Sequence, residues 1–314
     1  MLYFFLFLYL FIYILCDNLK YLYGLLIYEY KEFTYYHPKY VNIGDYIQSL
    51  ASEQFILNKN NIIYLDRDNI KYNESFVKII FNCWYKINDI ISFPKNIIPL
   101  FISFHISNVN KINNIKKILK KYEPIGARDI DTMEVLQKNG IKSYFSSCLT
   151  LTLGKTYYSK IKKNIIYLVD YKFKKNILID LEILKILKFY QPDEIKFMYH
   201  EKLSLKTNHK KRFEIAKQYL NKYSQARLVI TTRLHCALPC VGMKVPVILV
   251  IPKKNKDSRF TGIANTFLNF MGYYPKNNRF IKEILTNDKG YIINDEGYKY
   301  YVNKMEKIIK NFYK

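Results

Sequence analysis

The sequence predicts an α/β fold of two Rossmann-like domains whose parallel sheets face a cleft, and three observations carry that prediction. Tyr223 to Ile251 reads as strand, helix, strand, and Pro124 to Gly140 repeats the same logic earlier in the chain. The third is length. At 314 residues the chain exceeds the roughly 250–300 residues at which single cores stop growing. The expected division is 1–16 as an apolar N-terminal segment, 17–155 and 156–296 as the two Rossmann-like domains, and 297–314 as a C-terminal amphipathic helix.

In the organising stretch, Arg227 to Thr231 is a short β-branched run ending on hydroxyls, which reads as a buried strand. Thr232 occupies the place of a helix cap. Leu234, Ala237, Leu238 and Val241 then follow helical spacing, Pro239 should kink or shorten the helix, and Gly242 should supply a left-handed stop before the strand Val245 to Ile251. A parallel crossover leaves the helix N-terminus at the carboxyl edge of the sheet, where N–H groups and the macrodipole favour an anion. Arg233 and His235 fall in that first turn, a charged fork and a group titrating near neutral pH. The plainer reading makes Arg233 a solvated surface residue and His235 a packed one.

Taken in order, Met1 to Cys16 is apolar but shorter than the ~20 residues of a membrane-spanning helix. It also lacks the basic start and small-residue cleavage site of a secretory signal. A short anchor, an interfacial segment and an upstream start-codon artefact stay open, and Lys20 with the lysines beyond it would keep the body cytoplasmic, at the inner face of a membrane if the segment anchors it. Tyr21 to Tyr30 is the first core strand. Ile47, Leu50, Ala51 and Phe55 make one face of a helix within Asn42 to Leu57. Gly44 at its start would let a ligand approach the backbone, and Asp45 either caps the helix or faces the site.

Asn61 to Leu65 and Phe76 to Phe81 are further strands, with a metal-like D-x-D at Asp66 to Asp68 that stands alone and is discounted. Trp84 could stack on a sugar ring or simply pack. Pro99 to Ser107 is a third apolar strand with His105 near its end. After a helix marked by Ile112, Ile115, Leu119 and Tyr122, Arg128 sits in a strand-to-helix turn, Asp129 can cap, and Gly140 stops the helix; a second arginine is thus aimed at a second helix N-terminus.

In the second half, strands are expected at Ile165 to Val169 and Ile195 to Tyr199, the latter ending at His200, with helices near Leu178 to Leu187 and Arg212 to Tyr223. Arg259 lies in a polar loop, and Tyr301, Met305, Ile308 and Phe312 share a face of the final helix.

The net charge of +24 invites a nucleic-acid reading, but 43 of the 50 basic residues are Lys spread along the chain, which fits base-composition bias and solvated faces. No nucleic acid is expected as a partner, while acidic glycans or an anionic membrane surface are. The seven arginines stand out against that lysine background as positions needing fork geometry. Five cysteines without C-x-x-C or zinc-like spacing suggest a reduced compartment and no metal, and Cys236 and Cys240 read as core residues.

Together the blocks NIGDYIQSLASEQF, SFHIS, IGARD…T, SSCLTLTL, VITTRLHCALPCVGMKVPVI and DSRFTG, in this order over Tyr21 to Phe270, resemble the polysaccharide pyruvyl transferase family. The resemblance implies a fold similar to GT-B glycosyltransferases, phosphoenolpyruvate as co-substrate with no further cofactor, and a glycan or lipid-linked saccharide as acceptor, on which a pyruvate ketal is formed in surface polysaccharide biosynthesis. Arg233 and His235 match the family's R-L-H donor motif and Arg128 its R-[DE] arginine. Gly44, Thr232 and Arg259 lie in the matching blocks and are placed on the donor side, while Trp84, His105 and His200 are placed on the acceptor side. His235 is expected as acid or phosphate contact, and Asp45 as base or orienting group. The chain departs from the family at Ser146-Ser147, where relatives show Ser-Gly, and in the N-terminal apolar segment. A nucleotide-sugar glycosyltransferase and a non-catalytic, membrane-bound glycan-binding protein are the alternatives.

Overall fold

The computed structural model describes residues 21–30, 40–72, 74–85, 94–106, 112–173, 176–251, 263, 268–273 and 280–314. It shows a mixed α/β chain built on parallel sheets. The first sheet runs β2-β1-β3-β5, all neighbours parallel, with β1 at Leu22–Ile27, β2 at Ile62–Asp66, β3 at Val77–Phe81 and β5 at Ile97–Phe101. Two short parallel pairs extend it: β4 (Trp84–Tyr85) with β6 (His105–Ile106), and β7 (Ile125–Ala127) with β8 (Ser143–Phe145). The single strand expected over 99–107 is therefore two. Ser103, at φ 58, takes a left-handed conformation that cannot continue a strand, and it turns the chain between β5 and β6.

The second sheet runs β10-β9-β11-β12-β13-β14, with β9 at Ile165–Val169, β10 at Glu194–Met198, β11 at Leu228–Thr231, β12 at Val247–Ile251, β13 at Asn269–Tyr273 and β14 at Phe280–Glu283. Only β13 and β14 pair antiparallel. The strand order reverses between β9 and β11, which makes the carboxyl edge there the natural place for a ligand.

Seven helices cover these sheets among the described residues: α1 (Ile43–Glu53), α2 (Asn113–Lys121), α3 (Ile130–Lys138), α4 (Ile177–Tyr190), α5 (His209–Ser224), α6 (Leu234–Gly242) and α7 (Tyr298–Tyr313). A single turn, Gly154–Tyr157, follows a 3₁₀ segment at Leu149–Leu153. In α1, Ile43, Tyr46, Ile47, Leu50 and Ala51 all fall inward at helical spacing. Each large aliphatic among them contributes on the order of 1.5–3 kcal/mol by leaving water.

One continuous apolar core contains residues of both sheets, from Leu25 through Leu249 to Ile309. A smaller cluster lies on the α4 side of the second sheet, around Ile166, Leu168, Ile179 and Ile183. Polar staples also cross between the halves. Arg212, 3 % exposed, donates from its guanidinium to the carbonyls of Tyr28, Leu205 and Thr207 and to the Tyr46 hydroxyl at 2.6–2.8 Å. His209 lies between the Tyr46 hydroxyl at 2.7 Å and Glu29 at 3.0 Å.

Four local expectations change. Gly242 is the last residue of α6 and not its left-handed stop; Lys244, at φ 56, makes that turn. Gly242 is needed because a Cβ there would lie 2.0 Å from the Leu151 carbonyl oxygen, and one on Gly154 would lie 1.9 Å from the Gly242 carbonyl oxygen. Two backbones thus touch where the 3₁₀ segment meets α6. Thr232 does not cap α6: the capping position is Arg233, with no side-chain cap, and the Thr232 hydroxyl donates to the Asp170 carbonyl at 3.3 Å. Nor does Asp45 cap α1, because Asn42 does, its side chain accepting from the Gly44 N–H at 3.0 Å. Gly140, at φ 68, does turn the chain left-handed after α3. The final helix folds back onto the first half. Ser103 donates to the Met305 sulfur at 3.7 Å, and Tyr301 and Tyr313 meet Phe145 and Tyr23 ring to ring. Its most buried positions are Tyr298, Met305 and Ile309, a slight rotation from the predicted face.

Candidate functional site

At the carboxyl edge of the second sheet, β9 ends at Val169 and Asp170 follows at φ 53, a left-handed conformation that turns its side chain across the strand ends. Asp170 accepts from the His200 N–H at 3.1 Å and from Arg233 Nε at 2.7 Å. Arg233 also gives Nη1 to Glu201 Oε1 at 2.9 Å, and its backbone N–H donates to the Thr231 hydroxyl at 3.0 Å. The guanidinium is one-third exposed. Burial works against its charge, and Asp170 and Glu201 more than compensate, holding its pKa above the usual value.

The start of α1 is stitched to this edge. The Ile43 N–H donates to the His200 carbonyl at 3.1 Å, and Val41 bridges Leu203. Gly44 therefore faces α6, and a Cβ on it would stand 3.2 Å from both Cβ and Nδ1 of His235. The close approach that Gly44 permits is that of the imidazole. Next in sequence, Asp45 accepts from the Tyr30 hydroxyl at 2.9 Å and from Asn42 Nδ2 at 3.4 Å. Loss of water raises its pKa; Arg67 and the Tyr30 hydrogen bond oppose that shift, while Asp68 and Glu201 add to it. Gly44 of α1 is thus brought against His235 of α6, with Asp45 next to Gly44 in the chain and with Thr232 and Arg233 in the turn that leads into α6.

A cavity of 760 Å³ opens at the switch point, bordered by Asp170, Tyr171, Tyr199, Glu201, Thr232 and Arg233 among others. All of its described lining comes from residues 170–250. Arg128, like Gly44, Asp45 and His235, is not among its lining residues. Arg128 is 1 % exposed, with its Nε 3.9 Å from Asp129 Oδ2. Asp129 caps α3, accepting from the Thr132 N–H at 2.8 Å, and its other oxygen lies 2.6 Å from His105 Nδ1. A carboxylate thus already accepts from that helix N-terminus. His105 and Arg128 together hold the Asp129 carboxyl below the usual range against the opposing effect of burial.

His105, 1 % exposed and engaged by Asp129 and Thr132, supports α3 and presents no surface to an acceptor. His200 is equally buried, its Nε2 3.1 Å from the Tyr223 hydroxyl, because β10 ends inside the core. Trp84 is half-buried with the Arg67 guanidinium 5.6 Å from its ring, and Arg67 is itself forked onto Asp68 at 2.7 and 2.8 Å. The D-x-D is accordingly an ion pair. No cluster of three or more metal-ligating side chains occurs among the described residues. Arg259 and the apolar segment 1–16 lie outside the described residues.

The sequence reading passed over Tyr30, Arg67, Asp170 and Glu201. A signal for two of them existed: Asp170 follows β9 directly and Glu201 comes three residues after β10, where polar groups can reach a ligand.

The family model described as polysaccharide pyruvyl transferase matches residues 42–254. Among solved structures, an uncharacterised protein from Klebsiella pneumoniae is 12% identical, with 81% of this chain and 93% of that chain covered at a TM-score of 0.42. Two structures of the wall teichoic acid polymerase TagF are 10% and 11% identical, covering 95% of this chain and 91% and 90% of theirs, each at a TM-score of 0.38. These scores are too low to carry an argument about fold or site. No curated protein matches the chain.

Proposed function

The chain belongs to the polysaccharide pyruvyl transferase family, hence to transferases that act on polysaccharides, and from that premise we propose that it moves a pyruvyl group from phosphoenolpyruvate onto two hydroxyls of a glycan to form a ketal. The observation that carries this reading is the contact of His235, in the first turn of a helix without a side-chain cap, with Gly44 beside the half-buried carboxyl of Asp45. The start of α6 offers the donor's phosphate or carboxylate a dipole and backbone N–H groups. Arg233 offers it a charge already shared with Asp170 and Glu201. Arg128 acts behind the site, through Asp129 and the placement of α3. We take the two parallel sheets as Rossmann-like halves facing a cleft in the manner of GT-B enzymes, with Trp84 on its rim.

His235 protonates the methylene carbon of the enol, leaving a cationic centre at the carbon that bears the phosphate. A sugar hydroxyl attacks that carbon and gives its proton to Asp45, whose raised pKa suits a base. The bond to the phosphate oxygen then breaks, inorganic phosphate leaving with the proton held by Asp45, and the second hydroxyl attacks the same carbon and gives its proton to His235. The cavity is larger than a three-carbon phosphate fills, and its tyrosines and carboxylates suit sugar hydroxyls and ring faces.

Incubation of the protein with phosphoenolpyruvate and a panel of glycans, read by mass spectrometry, should show the carboxyethylidene increment together with release of phosphate. His235→Ala should lower the rate about 10²- to 10⁴-fold. Near-normal turnover in that variant removes His235 from the acid role. Stabilisation by nucleotide sugars and not by phosphoenolpyruvate in a thermal-shift assay would favour a glycosyltransferase instead.

A further inference from the structure

Helix α4 carries an apolar face on its outside as well as its inside. Its inner side buries Ile179, Ile183 and Tyr190 against the second sheet. Its outer side exposes Ile177 by 74 %, Leu178 and Leu181 by 49 %, Leu184 by 51 % and Phe189 by 50 %. At 100° per residue these five fall on one arc with the exposed Lys185 and Lys188, and no carboxylate shares that arc. Glu182 at its margin is half-buried and bonded to Lys185 and Lys282. The neighbouring helix α5 shows the usual pattern instead, its exposed positions being all polar.

The edge strand extends the face. Ile195 and Phe197, 43 % and 50 % exposed, pair in register with Ile166 and Leu168. Paired residues of parallel strands point to the same side, and Ile166 and Leu168 belong to the cluster under α4.

We propose that the outer face of α4, continued by Ile195 and Phe197 of β10, is a docking surface for a bilayer containing anionic lipid. Apolar residues interleaved with lysines, with Glu182 only at the margin, suit the boundary between acyl chains and negative headgroups, where lysine stems can lie along apolar surface. A second copy docking by the same face would bring the same lysines and no carboxylate of that arc to the contact, whereas anionic lipid neutralises them. No helix among the described residues is long and apolar enough to cross a membrane, and α4, 14 residues long, would lie in the plane. Asn176 and Ile179, at its start, also border the cavity described above. Docking stands without the transferase reading; if that reading also holds, the face brings the cavity beside the headgroups of a lipid-linked saccharide.

Co-sedimentation of the full chain with phosphatidylcholine vesicles, with and without phosphatidylglycerol, tests this directly. Binding should require phosphatidylglycerol and weaken with salt. Leu181→Glu with Leu184→Glu, both at exposed positions, should lower the apparent partition coefficient at least tenfold while circular dichroism stays unchanged. Lys185→Gln with Lys188→Gln, which leaves the apolar stripe intact, should lower it by about tenfold or more at low salt. Unchanged binding in both variants overturns the proposal, whichever other segment then holds the vesicles. A dimer that becomes monomeric on the leucine substitutions, seen by sedimentation velocity, also overturns it by assigning the face to self-association. Neither readout depends on phosphoenolpyruvate, so failure here and failure of the transferase reading are separable.

Discussion

Among single residues, Glu201 and Asp45 give the sharpest expectations. Glu201 shares Arg233 with Asp170 but is 36 % exposed against 11 % for Asp170, which a second N–H donor also holds. An incoming anion therefore competes mainly with Glu201. Glu201→Gln should tighten phosphoenolpyruvate binding by about fivefold, since a partly exposed ion pair is worth roughly 1 kcal/mol; calorimetric titration would measure it. Asp45 is the opposite case. Its carboxyl binds a proton more tightly in the fold than in the unfolded chain, so its contribution to stability is complete at acid pH and lost as pH rises through its raised value. Asp45→Asn should then raise the thermal midpoint at neutral pH by about 2 °C, a difference that vanishes near about pH 4, while activity falls. The sequence already marked Arg233 and His235, but Arg233's two carboxylate partners lie 63 and 32 residues away, too far for spacing to reveal.

Elements were more legible than partners. Periodicity located α1, α5, α6 and strands β9 to β12, because apolar spacing and caps are local properties of the chain. It misjudged Gly242, whose value lies in a contact with Leu151 that only folding creates. That difference is measurable. Gly242→Ala should cost about 3 kcal/mol in denaturant unfolding, because a methyl cannot share space with a carbonyl oxygen 2.0 Å away. Gly140→Ala has open space around its Cβ and should cost only the roughly 1–2 kcal/mol of a left-handed side-chain conformation. The short strands β13 and β14 had no clear signal, since NFMGY and FIKE are too brief for a period to emerge. Helix α4 is expected from the sequence only as a helix near Leu178 to Leu187, and its exposed apolar face is apparent only when its neighbours are in place.

Over the whole molecule, the two halves are held by contacts that also shape the candidate site. Arg212 joins Tyr28 and Tyr46 of the first half to the carbonyls of Leu205 and Thr207 ahead of α5, and α1 then meets the edge where Arg233 and His235 stand. Arg212→Met should lower stability by on the order of 3 kcal/mol by stranding buried acceptors. Circular dichroism and tyrosine fluorescence should then report separate unfolding midpoints. The sequence by itself determined the alternation of strands and helices, the arginine and histidine at the start of α6, and membership of a family of polysaccharide-modifying transferases. Only the tertiary structure decided that Asp129, beside His105 and Arg128, caps α3, that His105 and His200 are interior, and that Gly44 meets His235. The reason is physical: periodicity and capping are written within a few residues of the chain, whereas a buried charge takes whatever counter-charge or hydrogen bond the folded neighbourhood brings to it.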